Sequence, residues 1–334
     1  MTTFLTRKEV GTRLGEINTG FSYNGEELHD WDFSSFVACT HPLEINSKVR
    51  EYIDTNYESE KERKEAAMPN QLAKSFYGNS VDFSFPKDFF SNEKFNNNYM
   101  FVGVNIAARG EADGERTDRG KWGNFRDTKI ITNTYKLYEE LGENDMFEGS
   151  YITDIIKNVV DSNAGKIVDS FFIHEKKRKP NLPFTSANGN DDERAEELQR
   201  IFESNENKAE KDAVKKGITY LRKHLSREQA LKNVQINKEN YFKSAELFSK
   251  AINVVRPNKL VVFGDAAALT LQQMLKTDAF RQDANVTKLV QDLVEIPHYG
   301  LQGSKSGMYH WLEVEAPNVF AKIEHAGFTT GLNW

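Results

Sequence analysis

The chain of 334 residues has room for two domains of about 150 residues or for one domain with large additions, and 38% hydrophobic residues with 23 Phe, 12 Tyr and 4 Trp exclude disorder as its dominant state. No stretch approaches the ~18 consecutive apolar residues of a membrane span, the start lacks the apolar run of an export signal, and the single cysteine, Cys39, excludes an internal disulfide, a Cys-rich zinc site and a four-cysteine iron–sulfur cluster. A formal net charge of -6 gives no bulk attraction to duplex DNA, so any nucleic-acid contact has to be a local patch, and the expectation is a soluble, cytoplasmic protein.

Residues 1–95 carry no strand alternation and read as an N-terminal extension, helical or irregular. Within it, residues 45–76 have a helical composition with a densely charged middle at residues 58–65, which a solvated helix explains. Pro69 ends or kinks that helix. A Phe- and Asn-rich stretch from Phe83 to Asn98 reads as a connecting loop. His29, Asp30, Asp32 and His41 lie close together, but no periodicity aligns them, and neither a metal nor another cofactor is expected.

The pattern changes at Tyr99, where six residues to Val104 form a continuous apolar run bounded by asparagines, as in a strand buried on both faces. Further strand candidates are residues 150–156, 259–264 and 293–296. The third of these four leads through Gly264 into a helix over residues 266–275, with Asp265 as its N-cap. Between the second and third strands lie a polar loop, residues 176–192, and a Glu-, Lys-, Ala- and Leu-rich stretch to Lys250 that reads as one to three helices. Strands alternating with helices predict an α/β domain over residues 96–334, with a mostly parallel sheet, a charged helical insertion at about 176–250, and a ligand beyond the strand C-termini.

Polar residues gather after these strands. Asn105 follows the first, then a loop with Arg109, Arg116 and Arg119, then an aromatic segment with Trp122 and Phe125. Tyr151, Thr153 and Asp154 mark the second strand, and His298 and Tyr299 follow the fourth. An amide, a carboxylate, an imidazole and aromatic rings on one rim describe a ligand cleft or active site without naming a substrate. Taken singly, other readings stay open: Asn105 satisfying a loop turn, Asp154 capping or ion-pairing, His298 as a structural histidine, Trp122 and Phe125 as core anchors, and the loop arginines balanced by acids in a solvated loop.

In order, Gly103-Val-Asn-Ile-Ala107, Trp122-Gly-Asn-Phe125, Tyr151-Ile-Thr-Asp-Ile-Ile-Lys157 and Pro297-His-Tyr299 resemble the motifs of the uracil-DNA glycosylase superfamily, and most of all a bacterial glycosylase-like subgroup of it. The match covers roughly residues 96–175 and 250–310. It implies a three-layer α/β/α fold around a four-stranded, mostly parallel sheet. It also implies a hydrolase of DNA repair that flips a modified or mismatched base and cleaves its N-glycosidic bond, without a metal and with DNA as its partner. By the resemblance, Asn105 orients the water, His298 donates to the departing base, Phe125 or Trp122 stacks on it with Tyr151 nearby, Asp154 reads its edge, and Arg109, Arg116 and Arg119 contact phosphates.

Two departures bear on this. The base-reading position usually holds an Asn, which donates and accepts; an ionised Asp154 only accepts and favours a base edge rich in donors, so either the site reads a base other than uracil, or Asp154 is protonated, or it has another role. Ile106 stands where a Pro is usual, and the final motif keeps His298 without the following Pro-Ser. A catalytically inactive nucleic-acid or nucleotide binding module of the same fold is the alternative, and an interaction protein with a vestigial cleft is a further one.

Overall fold

The four strand candidates become the parallel strands of one sheet, and a fifth strand joins it from the N-terminal region. The computed structural model describes residues 5–38, 44–66, 85–106, 120–126, 131–142, 146–160, 164–173, 190–300 and 310–334. In chain order the elements are α1 (Arg7–Gly15), the hairpin β1 (Asn18–Tyr23) and β2 (Glu26–His29), β3 (Ser34–Phe36), α2 (Glu44–Asn56), α3 (Glu60–Glu65), β4 (Tyr99–Ile106), α4 (Ile131–Gly142), β5 (Tyr151–Val160), α5 (Ala164–Ser170), α6 (Asp191–Lys215), α7 (Arg227–Val255), β6 (Lys259–Phe263), α8 (Asp265–Met274), α9 (Asp278–Arg281), α10 (Ala284–Gln291), β7 (Val294–Ile296) and α11 (Ala316–Ala326). No helix among the described residues is long and apolar enough to cross a membrane.

The protein is α/β, with a mixed five-stranded sheet in the order β3-β5-β4-β6-β7. Strands β4 to β7 run parallel, and β3 adds antiparallel to the outer side of β5, pairing Ser34, Ser35 and Phe36 with Thr153, Ile152 and Tyr151. The expected four strands are thus corrected to five. Ser34-Ser35-Phe36 is too short to show alternation, and all three residues are buried, which is the company a strand keeps and a loop does not.

Alternation along the parallel strands divides the core into two clusters. Met100, Val102, Tyr151, Ile155 and Val262 face α7, α8 and α10. Phe101, Ile152, Val261 and Phe263 face Leu137 and Leu141 of α4 and Val319 and Ile323 of α11. Helices therefore cover both faces of β5, β4 and β6, which bury apolar side chains on either side, whereas β7 at the edge buries Val294 and Ile296 on one face and exposes Glu295 on the other.

The N-terminal region departs most from expectation. The stretch expected as one helix over 45–76 divides between α2 and α3, because Ser59 and Glu62 form a reciprocal capping box that starts a new helix; Pro69 lies outside the described residues. The Phe-rich stretch is more than a connector: the rings of Phe85, Phe89, Phe90 and Phe95 lie within 6.1 Å, centroid to centroid, of Phe36. At the other end of the sheet Gly264, not Asp265, is the N-cap of α8; it has φ +79°, and Asp265 sits in the first turn.

α7 fixes the direction of the helical insertion. Arg256, just past its C-terminus, accepts a bond from Asn97 beside the start of β4, while Ser244 accepts the backbone N–H of Lys157 near the end of β5. α7 therefore runs antiparallel to the strands, and the seventeen residues that precede Ser244, back to Arg227, continue about 25 Å beyond that level.

Candidate active site

The rim of the sheet brings together Gly103, Phe125 and Asp154. Gly103 pairs with Asp154 across β4 and β5, on the face lined by Phe101 and Ile152. A Cβ placed on Gly103 would lie 2.5 Å from Oδ1 of Asp154 and 3.2 Å from the Phe125 ring. Only a residue without a side chain lets the carboxylate and the ring converge there.

Asp154 is 2% exposed, and its Oδ2 accepts from Nδ2 of Asn124 at 2.7 Å. The same amide nitrogen donates to the carbonyl of Phe33 at 2.8 Å, so both its hydrogens are used and the amide orientation follows. Asn124 was part of the aromatic motif in the sequence, but nothing local marked it as the partner of a carboxylate thirty positions away.

The loop that carries Asn124 is unusual in its backbone. Trp122 and Phe125 both have left-handed φ, +62° and +63°, a region that bulky residues rarely occupy. Such backbone persists when its surroundings over-determine it. Here the N-terminal region does so: Trp122 N–H donates to the carbonyl of Trp31 at 2.9 Å, the Ser35 hydroxyl donates to the carbonyl of Trp122 at 2.7 Å, and Asn124 is tied to Phe33. Residues 31–36 thus hold the segment that carries Phe125, which is 8% exposed and packs in the second core cluster.

Beneath the rim, on the opposite face, lies a buried polar network. Asp30 accepts from the Tyr151 hydroxyl at 2.5 Å and from the Ser34 hydroxyl at 2.8 Å. Lys157 places its ammonium 3.8 Å from Asp30 and 2.5 Å from the Thr153 hydroxyl, with no exposed surface. Burial pushes the lysine below its ordinary value, and Asp30 and Asp154 pull it back up. Burial, followed by the charge of Asp30, raises the Tyr151 hydroxyl well above its ordinary value, so it stays a donor.

β5 departs from regular pairing at this point. Asn105 pairs with Ile156 but Ile106 pairs with Val160, leaving Lys157, Asn158 and Val159 in a bulge with Asn158 at φ +56°. Asn105 bonds into the bulge, its Nδ2 donating to the Val159 carbonyl at 3.2 Å.

His298 follows β7. The backbone N–H of Gly300 donates to its Nδ1 at 2.8 Å, so in the neutral ring the proton resides on Nε2. Its ring stacks on Tyr299 with centroids 4.4 Å apart, and Phe263 meets it edge-on at 6.2 Å. Phe263 and Phe125 belong to the same cluster, which puts His298 at the edge of the face that holds Asp154.

Of the residues singled out in the sequence, Phe125 and Asp154 meet at Gly103, Asn105 stands two residues further along β4, and His298 borders the same face. Tyr151 and Trp122 do not join them. Tyr151 projects to the opposite face and is occupied with Asp30; Trp122 packs among Phe36, Phe90 and Trp31. Arg109, Arg116 and Arg119 lie outside the described residues. Among the described residues no three His, Cys, Asp or Glu side chains gather as a metal site.

No protein-family model, curated protein or solved structure matches the chain.

Proposed function

We propose that this chain is an N-glycosyl hydrolase of DNA, with a three-layer α/β/α fold of the uracil-DNA glycosylase type, acting on a modified or mismatched base flipped out of the helix. The observation that carries the reading is the convergence of an aromatic ring and a carboxylate on Gly103, at a rim that also holds a histidine with its proton on Nε2. A flipped base needs a flat surface to lie on, a polar group that reads its edge, and a donor for the negative charge it acquires as the bond breaks. Phe125 supplies the surface, Asp154 the reader and His298 Nε2–H the donor. Asn105 orients the attacking water, and Arg109, Arg116 and Arg119 contact flanking phosphates.

A carboxylate that accepts from Asn124 and lies in the field of Lys157 acts as an acceptor. The base it reads therefore offers donors, such as an exocyclic amine beside a ring N–H. One observation favours a second reading, a binding module without chemistry: the Asn105 amide is engaged with the strand bulge through Val159.

Labelled oligonucleotides carrying uracil, hypoxanthine, xanthine, mismatched thymine or modified cytosines, single- and double-stranded and treated with alkali, separate the two. The hydrolase releases one of these bases. Asn105→Ala abolishes the release and His298→Ala slows it by about a hundredfold or more. Retained binding with no base released from any of them selects the binding module.

A further inference from the structure

The helical insertion ends in an arm that packs on little else in the chain. α6 runs opposite to α7: Asp191 and Asp192 at its start pair with Lys238 and Arg227, and Gln199 bonds the carbonyl of Leu225. Beyond Gln199 the helix passes the start of α7, and after Glu206 none of its residues is buried. The helix closes with Gly217 at φ +66° and with Ile218 N–H on the Ala213 carbonyl, which turns the chain back. The returning segment is pinned to α6 through Glu206, whose carboxylate accepts from the Tyr220 hydroxyl at 2.9 Å and the Lys223 N–H at 2.7 Å. The arm is thus an ordered element that leaves Val214 71%, Ile218 59% and Leu221 88% exposed.

Its charge is the reverse of the rest. Residues 207–224 hold six Lys or Arg against two Asp or Glu, a local +4 in a chain of -6. Two of the cations face acids on the arm, Lys215 with Asp212 and Arg222 with Glu210. Lys208, Lys211 and Lys216 form no ion pair among the described residues. Because α7 runs antiparallel to the strands, the arm extends past the same end of the sheet as Asn105 and Asp154.

We infer that this arm docks duplex nucleic acid, with Lys208, Lys211 and Lys216 on phosphates and Ile218 and Leu221 against the minor groove. The inference rests on the proposed action on DNA for its choice of partner. Magnitudes also favour that choice over an anionic membrane: the three exposed aliphatic residues offer fewer side-chain carbons than one myristoyl chain, which alone gives only marginal membrane binding. A minor groove needs no more than one or two aliphatic side chains between base steps, with cations on the neighbouring phosphates. It also resolves how a chain with a net negative charge holds DNA, by concentrating its cations on one projecting element.

The full chain is titrated against a labelled, unmodified duplex several helical turns long, at a series of salt concentrations, and against vesicles of phosphatidylserine and phosphatidylcholine. Replacing Lys208, Lys211 and Lys216 together by Gln weakens duplex binding at least about tenfold at low salt and makes the slope of log affinity against log salt shallower by about 2 to 3. Ile218→Ser with Leu221→Ser weakens binding and leaves that slope unchanged. The inference is overturned if the wild type does not bind the duplex, if both variants bind it as the wild type does, if only vesicle binding is lost, or if the serine variant merely converts a dimer to a monomer. Arm-dependent duplex binding without base release leaves the docking standing and removes the hydrolase. Base release from long duplexes that both arm variants keep in full removes the docking and leaves the hydrolase.

Discussion

Gly103 is the residue on which the candidate site turns, and its demand is spatial, because its φ is not among the left-handed ones. Gly103→Ala drives a methyl into Asp154 Oδ1 and the Phe125 ring, so we expect loss of oligonucleotide cleavage or binding together with about 1–3 kcal/mol of destabilisation, read by urea unfolding. Asn124→Ala leaves Asp154 buried with one donor fewer, and costs about 1–3 kcal/mol in the same assay. Part of this was legible beforehand. Tyr151 and Asp154 are three positions apart in one strand, so alternation alone sends them to opposite faces and already argues against the expectation that both touch one base. The Asp154–Asn124 bond and the Asp30–Tyr151 bond were not legible, since they join positions 30 and 121 residues apart.

At the scale of elements, β4 and β6 could be read from the sequence because burial on both faces leaves an almost unbroken apolar signature, and both strands begin where their runs begin; β5, with Asp154 and Lys157, and β7, with the exposed Glu295, carry it only in part. β3 left no such mark. Its contribution is positional: it joins the sheet edge and, with Trp31 and Phe33, holds the loop of Trp122 and Phe125. A chain beginning at residue 96 lacks all of this, and we expect it to lose the cooperative thermal transition of the full protein, measured by circular dichroism. α4 carries a titration signature of its own. Lys136 is 5% exposed, its ammonium 5.5 Å from the centre of the Trp311 ring, and burial lowers it from 10.5 to about 8. Between those values the unfolded chain holds a proton that the folded chain has released, so stability rises with pH across that window, by at most about 3 kcal/mol. Lys136→Met should flatten that rise, seen as the difference between the pH dependences of unfolding of variant and wild type.

Over the whole molecule, the first core cluster gathers residues from Val10 to Val290, which ties the N-terminal region, the sheet and α7 into one packed body. The arm at residues 207–224 lies outside it. Amide hydrogen exchange should divide accordingly, with backbone N–H groups of β4 and β6 protected close to the global limit and those of the last three turns of α6 exchanging orders of magnitude faster. Uniform protection would mean that the arm is covered in solution.

The outline of the sheet carries a last consequence. Its two outer strands, β3 and β7, are three residues each, while β4 and β5 between them run to eight and ten. A growing aggregate recruits chains through long, flat edges with unpaired backbone groups, and short outer strands give such a template little to pair with. The serine-rich scrap of chain that became β3 thus covers the first three residues of β5 as well as bracing a loop, and without it the longest strand among the described residues would offer that stretch to the next molecule.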